Sequence, residues 1–332
     1  MGLIKMKKIS VVGAGSWGTT LAVLLGGKGY DVNLWVREKE LVSEIEKERE
    51  NKRFLKGVKI PSNVKAVNDL RDAVFGAELV IMSVPSQFLR DVAKQVSPYL
   101  SEGVIVVDVA KGIEAGTYKT MSQILEDELP DFVKIVALSG PNHAEEVSRK
   151  IPTATVVASK DKACLKKVKE ILSTDYFKVY PHDDVVGVEV CGALKNITAI
   201  VTGICDGLGL GDNAKGSIIT LGLTEMNKFG REFGAKRATC YGLAGVGDLV
   251  ATCTSKHSRN RFVGEKLAEG KSFDEIKEEM HGMVAEGVKA TKAVYEFGKE
   301  KGIDLPLTTQ VYKVLYENKN LKEAIKDLLE LI

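Results

Sequence analysis

The sequence predicts an α/β chain: a mostly parallel sheet covered on both faces, followed by an all-helical C-terminal domain. Three observations carry this. Short apolar runs alternate with helical patterns through the first half of the chain. A glycine-rich turn joins the first apolar run to the first helical pattern, and from His182 onward the pattern changes to long helices and stays so. Alternation of this kind builds a parallel sheet with helices on both faces. A chain of 332 residues is long enough for two domains. The change of pattern puts the expected boundary between domains 1–184 and 185–332.

The first run, Ile9 to Val12, meets Gly13, Gly15 and Gly18, and a helical pattern follows with Trp17, Leu21, Leu24 and Leu25 on one face. Strand, tight turn and helix in the G-x-G-x-x-G spacing have a specific use. The first glycine permits the turn, the second lets backbone approach a pyrophosphate, and the third packs helix on strand. The helix N-terminus then faces the anion. A bare glycine spacing is weak, since glycines also mark ordinary turns. The flanking strand and helix make it a Rossmann-type dinucleotide site.

Asp31 to Val36 reads as the second strand, ending at Arg37. About twenty residues past the first glycine, the strand end meets the adenosine ribose; an acid there binds the 2′-hydroxyl and repels a 2′-phosphate. Arg37 can instead accept that phosphate and stack on adenine, so NADP(H) is expected to be usable alongside or in place of NAD(H). A solvated strand-end arginine beside Glu38 is the plainer alternative. Leu41 to Arg53 reads as a charged helix and Lys56 to Pro61 as a loop. Glu78 to Val84, Val104 to Val109 and Lys134 to Leu138 are the third to fifth strands, with a helix from Phe88 to Val96. Ala154 to Ala158 and Phe177 to Tyr180 are two further strands around a helix from Cys164 to Ser173. Ligands in such sheets bind beyond the strand carboxyl ends, where Val84-Pro85-Ser86, Ala110-Lys111-Gly112 and Ser139-Gly140-Pro141 arrive.

Composition removes several classes of function. A net charge of +2 gives no case for nucleic acid or a membrane surface as partner. Cys164, Cys191, Cys205, Cys240 and Cys253 contain no C-x-x-C pair; an odd, scattered set reads as reduced and cytoplasmic. The four histidines are too dispersed in sequence for a metal cluster, so no metal is expected. Lys5, Lys7 and Lys8 before an apolar run resemble a signal peptide, but the glycine turn breaks the run. Val185 to Cys205 is nearly long enough to span a bilayer, yet Glu189 and Lys195 would sit deep in hydrocarbon. A buried helix without membrane insertion is the better account.

The helical half contains further expected helices at Ala214 to Phe233, Ser258 to Glu269, Ser272 to Met280, Glu286 to Lys301 and Asn320 to Leu331. Ser272 and Glu275 form a capping box. Its chemistry centres on Gly192-Ala193-Leu194-Lys195-Asn196. An unpaired buried ammonium is expensive, so Lys195 either reaches the helix edge, pairs with Glu189, or lines a site. Desolvated lysines shift their pKa readily, which suits general acid/base work, and a second cation such as Lys111 would assist. In YGLAGVGD, Asp248 can bind substrate hydroxyls, orient Lys195, or simply cap a helix. Ser258, Arg259 and Asn260 enter a helix with charge, donors and dipole all suited to a phosphate; a capped surface helix fits them equally well.

GAGSWGTTLA, WVR, SGPNHAEEV, GALKNI, GLAGVGDL and SRNRFVGEKL, in this order, resemble the bacterial NAD(P)-dependent glycerol-3-phosphate dehydrogenases from Ile9 to beyond Val311. That resemblance implies a C-terminal domain like that of 6-phosphogluconate dehydrogenase and a homodimer. It implies interconversion of dihydroxyacetone phosphate and sn-glycerol 3-phosphate, supplying phospholipid synthesis, with Lys195 as proton acceptor. Lys111 would contact substrate and cofactor, with Gly140, Asn142, Asp248, Ser258, Arg259 and Asn260 holding the glycerol phosphate. Gly13, Gly15, Ser16, Trp17, Gly18, Arg37, Ala144, Val284 and Glu286 would hold the dinucleotide, which Arg259 would also touch. Asn142 stands where the family has serine or threonine, and Gly216 and Leu221 where a small residue and an arginine are common. The first departure bears on a substrate hydrogen bond, the second on an interhelical ion pair. The rival readings are a two-domain dehydrogenase of another small hydroxy acid or sugar derivative, and a nucleotide-sensing module without turnover.

Overall fold

The computed structural model describes residues 8–280 and 282–331; Lys5 and Lys7 lie outside the described residues. The chain forms two compact units. The first holds the chain up to Ala110 together with Met121–Leu138 and Asn142–Val185. The second holds Lys111–Thr120, Ser139–Pro141 and everything from Val186 onward.

The first unit runs β1 (Ile9–Val12), α1 (Ser16–Gly27), β2 (Val32–Trp35), α2 (Lys39–Glu48), β3 (Glu50–Asn51), β4 (Leu55–Lys59) and β5 (Val64–Val67). It continues through α3 (Leu70–Val74), β6 (Leu79–Met82), α4 (Leu89–Val96), β7 (Ile105–Asp108), α5 (Met121–Glu128) and β8 (Lys134–Ser139). The last elements are α6 (Ala144–Ser148), β9 (Thr153–Ala158), α7 (Lys162–Leu172) and β10 (Phe177–His182). Eight strands make one sheet in the order β10-β9-β8-β7-β6-β1-β2-β5. The pairings from β5 through to β8, and that of β9 with β10, are parallel. Strands β1, β6 and β7 are buried along their whole length, the mark of a sheet covered on both faces. Successive side chains point to opposite faces, so Val11, Ile81 and Val107 join one core with Leu21, Leu25 and Phe177. Val12, Met82 and Val106 join the other, with Leu89 and Ile124.

The sequence reading fails between residues 41 and 67. The helix expected over Leu41 to Arg53 stops at Glu48, because Arg49 turns left-handed with φ 52. Its side chain donates to the carbonyls of Ile60, Pro61 and Val64, pinning the following turn. Most of the loop expected over Lys56 to Pro61 is instead strand β4, which ends at Lys59 and pairs antiparallel with β3. Strand β5, unforeseen, is the sheet's edge beside β2. These strands are two to five residues long, and β4 is largely exposed, so they leave little hydrophobic pattern to detect.

The second unit contains α8 (Val185–Gly207), α9 (Gly211–Glu232), α10 (Arg237–Cys240), a wide helical turn at Leu243–Gly247, and α11 (Asp248–Thr254). Then come α12 (Arg259–Ala268), α13 (Phe273–Glu279), α14 (Glu286–Lys301), α15 (Pro306–Glu317) and α16 (Leu321–Leu329). Helix α8 is long and apolar enough to cross a bilayer, but it is the buried axis of this unit, sheltered from Gly187 to Cys205. Its neighbours approach very closely. A Cβ on Gly203 would stand 2.0 Å from the Arg261 carbonyl oxygen, and one on Gly264 would stand 1.9 Å from that of Ile200. Those two bare positions let α12 lie directly against α8. The Ser272–Glu275 capping box is formed, and all five cysteines are buried.

Candidate active site

Within the helical unit, one carboxylate holds two lysines. Lys195, on α8, donates to Asp248 Oδ1 at 2.8 Å, and Lys111 donates to Asp248 Oδ2 at 2.8 Å. Lys111 also donates to the Gly140 carbonyl at 3.0 Å. The Asp248 and Lys195 side chains are 2% and 6% exposed, so the bridge is largely out of water. Sequence alone left Lys195 a choice of partners; its ammonium bonds run to Asp248 and to Thr252 Oγ1, not to Glu189. The capping alternative for Asp248 also falls away. Gly247 precedes the first turn of α11, and the carboxylate is spent on lysines.

The local sequence explains this placement. The wide turn Leu243–Gly247 leads straight into Asp248, and Gly245 lies so tightly over the end of α10 that a Cβ would meet the Cys240 carbonyl at 2.0 Å. On α8, a Cβ at Gly192 would stand 2.6 Å from Ser139 Oγ and 3.6 Å from Lys111 Cγ. The bare backbone one turn before Lys195 therefore makes room for the Ser139 hydroxyl, with the Lys111 stem in ordinary contact beside it. Burial pulls the Lys111 ammonium down to about 8, with Asp248 opposing the fall and Lys195 adding to it. Burial alone would raise the Asp248 carboxyl, but Lys111 and Lys195 hold it below the ordinary carboxylate range. Two ammoniums on one carboxylate leave a net positive, proton-bearing centre, suited to a carbonyl oxygen that becomes an alkoxide.

Next to the bridge lies an amide relay. Asn260 Nδ2 donates to Asn196 Oδ1 at 2.9 Å, and Asn260 Oδ1 accepts from the Gly287 N–H at 2.9 Å. Much of the Asn260 side chain thus ties α12 to α8 and to the start of α14. Ser258 caps α12 by accepting from the Arg261 N–H, while Arg259, the next residue, is exposed at that helix N-terminus. Glu286 opens α14 and Val284 lies just before it, both half-buried. Thr252 is a participant that sequence reasoning passed over, while Asn196, marked only as part of the stretch around Lys195, is the acceptor that Asn260 finds on α8. Thr252 sits four residues after Asp248 and donates to its Oδ1 at 3.2 Å; that helical spacing was the available signal.

The glycine turn belongs to the first unit. Gly13 has φ +115, and a Cβ there would stand 2.4 Å from the Ser83 carbonyl; one on Gly18 would stand 1.9 Å from the Gly13 carbonyl. At Gly15 an added Cβ meets nothing within 4 Å. Gly15 is also the N-cap of α1, with no side chain capping that end. Open space against a bare helix start fits a pyrophosphate. Buried Ser16 begins α1, and Trp17 packs its ring 6.2 Å from Phe177. The Trp17 indole N–H is buried without a hydrogen-bond partner among the described residues, a second sign that a polar group belongs there. Ala144 starts α6 and accepts from Thr20 Oγ1 at 3.3 Å. Asn142 donates to Thr155 Oγ1 at 3.0 Å. Arg37 is exposed, with its guanidinium on Glu38 Oε1 at 2.7 Å, so the acid beside it is a partner and not a bystander. Of the two departures in α9, Gly216 faces open space, and Lys215 beside it pairs with both Asp206 and Asp212, Asp206 also taking Arg261.

Comparison with known proteins gives the family. The family profile for the NAD-dependent glycerol-3-phosphate dehydrogenase N-terminus matches residues 8–165, and that for its C-terminus matches residues 184–326. A glycerol-3-phosphate dehydrogenase [NAD(P)+] of Chlorobium limicola is 48% identical over 97% of both chains, and that of Clostridium perfringens is 45% identical over 98% of both. The crystal structure of glycerol-3-phosphate dehydrogenase from Coxiella burnetii superposes with a TM-score of 0.94 at 39% identity, covering 98% of this chain and 99% of that one. The chain therefore belongs to the NAD-dependent glycerol-3-phosphate dehydrogenase family.

Proposed function

We propose that the protein is an oxidoreductase that interconverts dihydroxyacetone phosphate and sn-glycerol 3-phosphate with NADPH or NADH. The observation that carries this is the buried Lys111–Asp248–Lys195 bridge. Lys195 delivers a proton to the oxygen at C2 during reduction and takes it back in the reverse direction. Asp248 and Thr252 hold its ammonium in one orientation, and Lys111 draws charge onto the carbonyl oxygen. Arg259, exposed at the N-terminus of α12, and the Ser258 hydroxyl anchor the phosphate. Binding energy gathered at that remote phosphate positions C2 for reaction. The nicotinamide, when bound, supplies or accepts the hydride.

The glycine turn, Ser16, Trp17, Arg37, Ala144, Val284 and Glu286 are proposed to hold the dinucleotide, and Gly140, Asn142 and Asn260 to complete the substrate's surroundings. The Arg37–Glu38 pair supports use of both dinucleotides: the guanidinium can meet a 2′-phosphate, and the carboxylate can meet a 2′-hydroxyl. Residues 185–332 are proposed as the substrate domain of a cytoplasmic homodimer that supplies glycerol phosphate for lipid synthesis. The deciding assay follows NADPH absorbance with and without dihydroxyacetone phosphate, with NADH in parallel. Oxidation dependent on dihydroxyacetone phosphate, and lost in Lys195→Ala, is expected. Absence of turnover with either dinucleotide removes the assignment.

A further inference from the structure

We infer that Asn51, which no sequence motif marks, is the positioning residue for the dinucleotide-binding turn. The inference rests on the reading that the glycine turn takes a dinucleotide. Asn51 lies in β3 and is fully buried. Its Nδ2 donates to the Ala14 carbonyl at 2.8 Å and to Thr19 Oγ1 at 2.9 Å. Its Oδ1 accepts from the Phe54 N–H at 3.2 Å. Both amide protons and the carbonyl oxygen are therefore engaged, which only an amide side chain of this length can do.

The position of those bonds gives them their consequence. Gly13 is fixed by backbone, its N–H bonded to the Trp35 carbonyl at 3.2 Å, and the Gly15 carbonyl accepts from Thr19 N at 2.9 Å. The Ala14 carbonyl between them is held by two side chains, Asn51 and, at 3.3 Å, Thr19 Oγ1. The carbonyl of Ala14 and the N–H of Gly15 belong to one planar trans peptide, so they point in opposite directions. Fixing the carbonyl on Asn51 fixes the Gly15 N–H on the other side of the turn. Of the three glycines of the turn, Gly15 is the one where an added Cβ meets nothing among the described residues within 4 Å, at the uncapped start of α1. Asn51 thus sets in advance the direction of a donor that a pyrophosphate oxygen would meet, without touching the ligand. Preorganisation of this kind lowers the ordering cost of binding.

The test compares wild type, Asn51→Ala and Asn51→Asp in the full chain, reading NADH affinity by tryptophan quenching and steady-state constants for both substrates. Hydrogen exchange across residues 13–19 is measured without ligand. For the alanine variant we expect NADH affinity to fall about 5- to 10-fold. The dinucleotide KM should rise with it, while the KM for dihydroxyacetone phosphate and kcat stay close to wild type. Exchange should rise in the turn. The aspartate variant keeps the acceptor for Phe54 but presents acceptors to Ala14 and Thr19, so its NADH affinity should recover as pH falls and the carboxyl regains a proton. If Asn51→Asp does not fold, the alanine variant decides alone. Wild-type NADH affinity in folded Asn51→Ala overturns the inference, as do losses spread equally over both Michaelis constants and kcat. A wild-type protein that binds neither NADH nor NADPH instead overturns the dinucleotide reading itself, and the inference falls with it.

Discussion

Lys195 and Asp248, 53 residues apart in sequence, meet at 2.8 Å inside the helical unit, and the same carboxylate holds Lys111 through its other oxygen. The arrangement keeps two ammoniums close together in a place where neither could remain alone. Asp248→Asn removes the charge that reconciles them and keeps the shape. Breaking a buried pair from one side costs about 3–5 kcal/mol, so a large drop in thermal midpoint is expected. Turnover should fall by roughly 10²–10⁴, the range for a misplaced general acid. Circular dichroism melts with single-turnover rates check both. A variant with wild-type kcat would remove Asp248 from the chemistry.

Lys111 gives the site a pH limit. Desolvation brings its ammonium down to about 8, so it is charged below that pH and loses its proton above it. Reduction of the ketone, where Lys111 draws charge onto the carbonyl oxygen, should weaken as pH rises through about 8. The stability consequence has the opposite sign. The folded state binds fewer protons than the unfolded one between about 8 and the ordinary lysine value, so this group's contribution to stability improves across that window. A pH profile of kcat/KM for dihydroxyacetone phosphate should show the alkaline limb, and Lys111→Arg should abolish it, since a guanidinium does not titrate there. Persistence of the limb in that variant would assign it to another group.

The sheet was legible because β1, β6 and β7 are buried and made mostly of Val, Ile, Leu and Met next to turn residues, a signal that survives without tertiary context. Lys195 was legible for a related reason: a charge inside an apolar helix demands a partner. Its partner Asp248 was legible only as one of three readings of that acid, since a contact across 53 residues leaves no periodicity to single it out. The stretch around Asn51 was hidden more completely. Arg49 ends α2 in a left-handed conformation only because its side chain finds carbonyls eleven to fifteen residues ahead. Tertiary bonds there override the local preference for a charged helix.

Arg259 is expected to govern affinity for the phosphate, not the proton step. It is exposed at the start of α12, where its charge and the helix dipole act on the same anion. Arg259→Ala should raise the KM for dihydroxyacetone phosphate about 10- to 100-fold, the size of one lost charge-assisted hydrogen bond. Turnover of unphosphorylated dihydroxyacetone, slow to begin with, should hardly change. Equal losses on both substrates would place Arg259 elsewhere in the reaction.

Glu225 offers a test of the scaffold independent of turnover. It is 2% exposed on α9, and its carboxylate accepts from the Leu307 and Thr308 N–H groups and the Thr308 hydroxyl at the start of α15. Those bonds and the more distant Lys228 favour the charged form, but burial outweighs them and pushes the carboxyl up to about 7. Its folded value lies above its unfolded one, so between about pH 4.5 and 7 the folded state holds a proton that the unfolded state has released. Stability from this group is therefore present at low pH and is lost as pH rises through about 7. The difference amounts to roughly 2–4 kcal/mol. Urea unfolding at pH 5.5 and 8 should show that decline for wild type. In Glu225→Gln, which stays neutral throughout, the decline should shrink by the same amount. If the two proteins keep parallel pH profiles, Glu225 is ionised in the folded state at both pH values, and its bonds to α15 outweigh its burial.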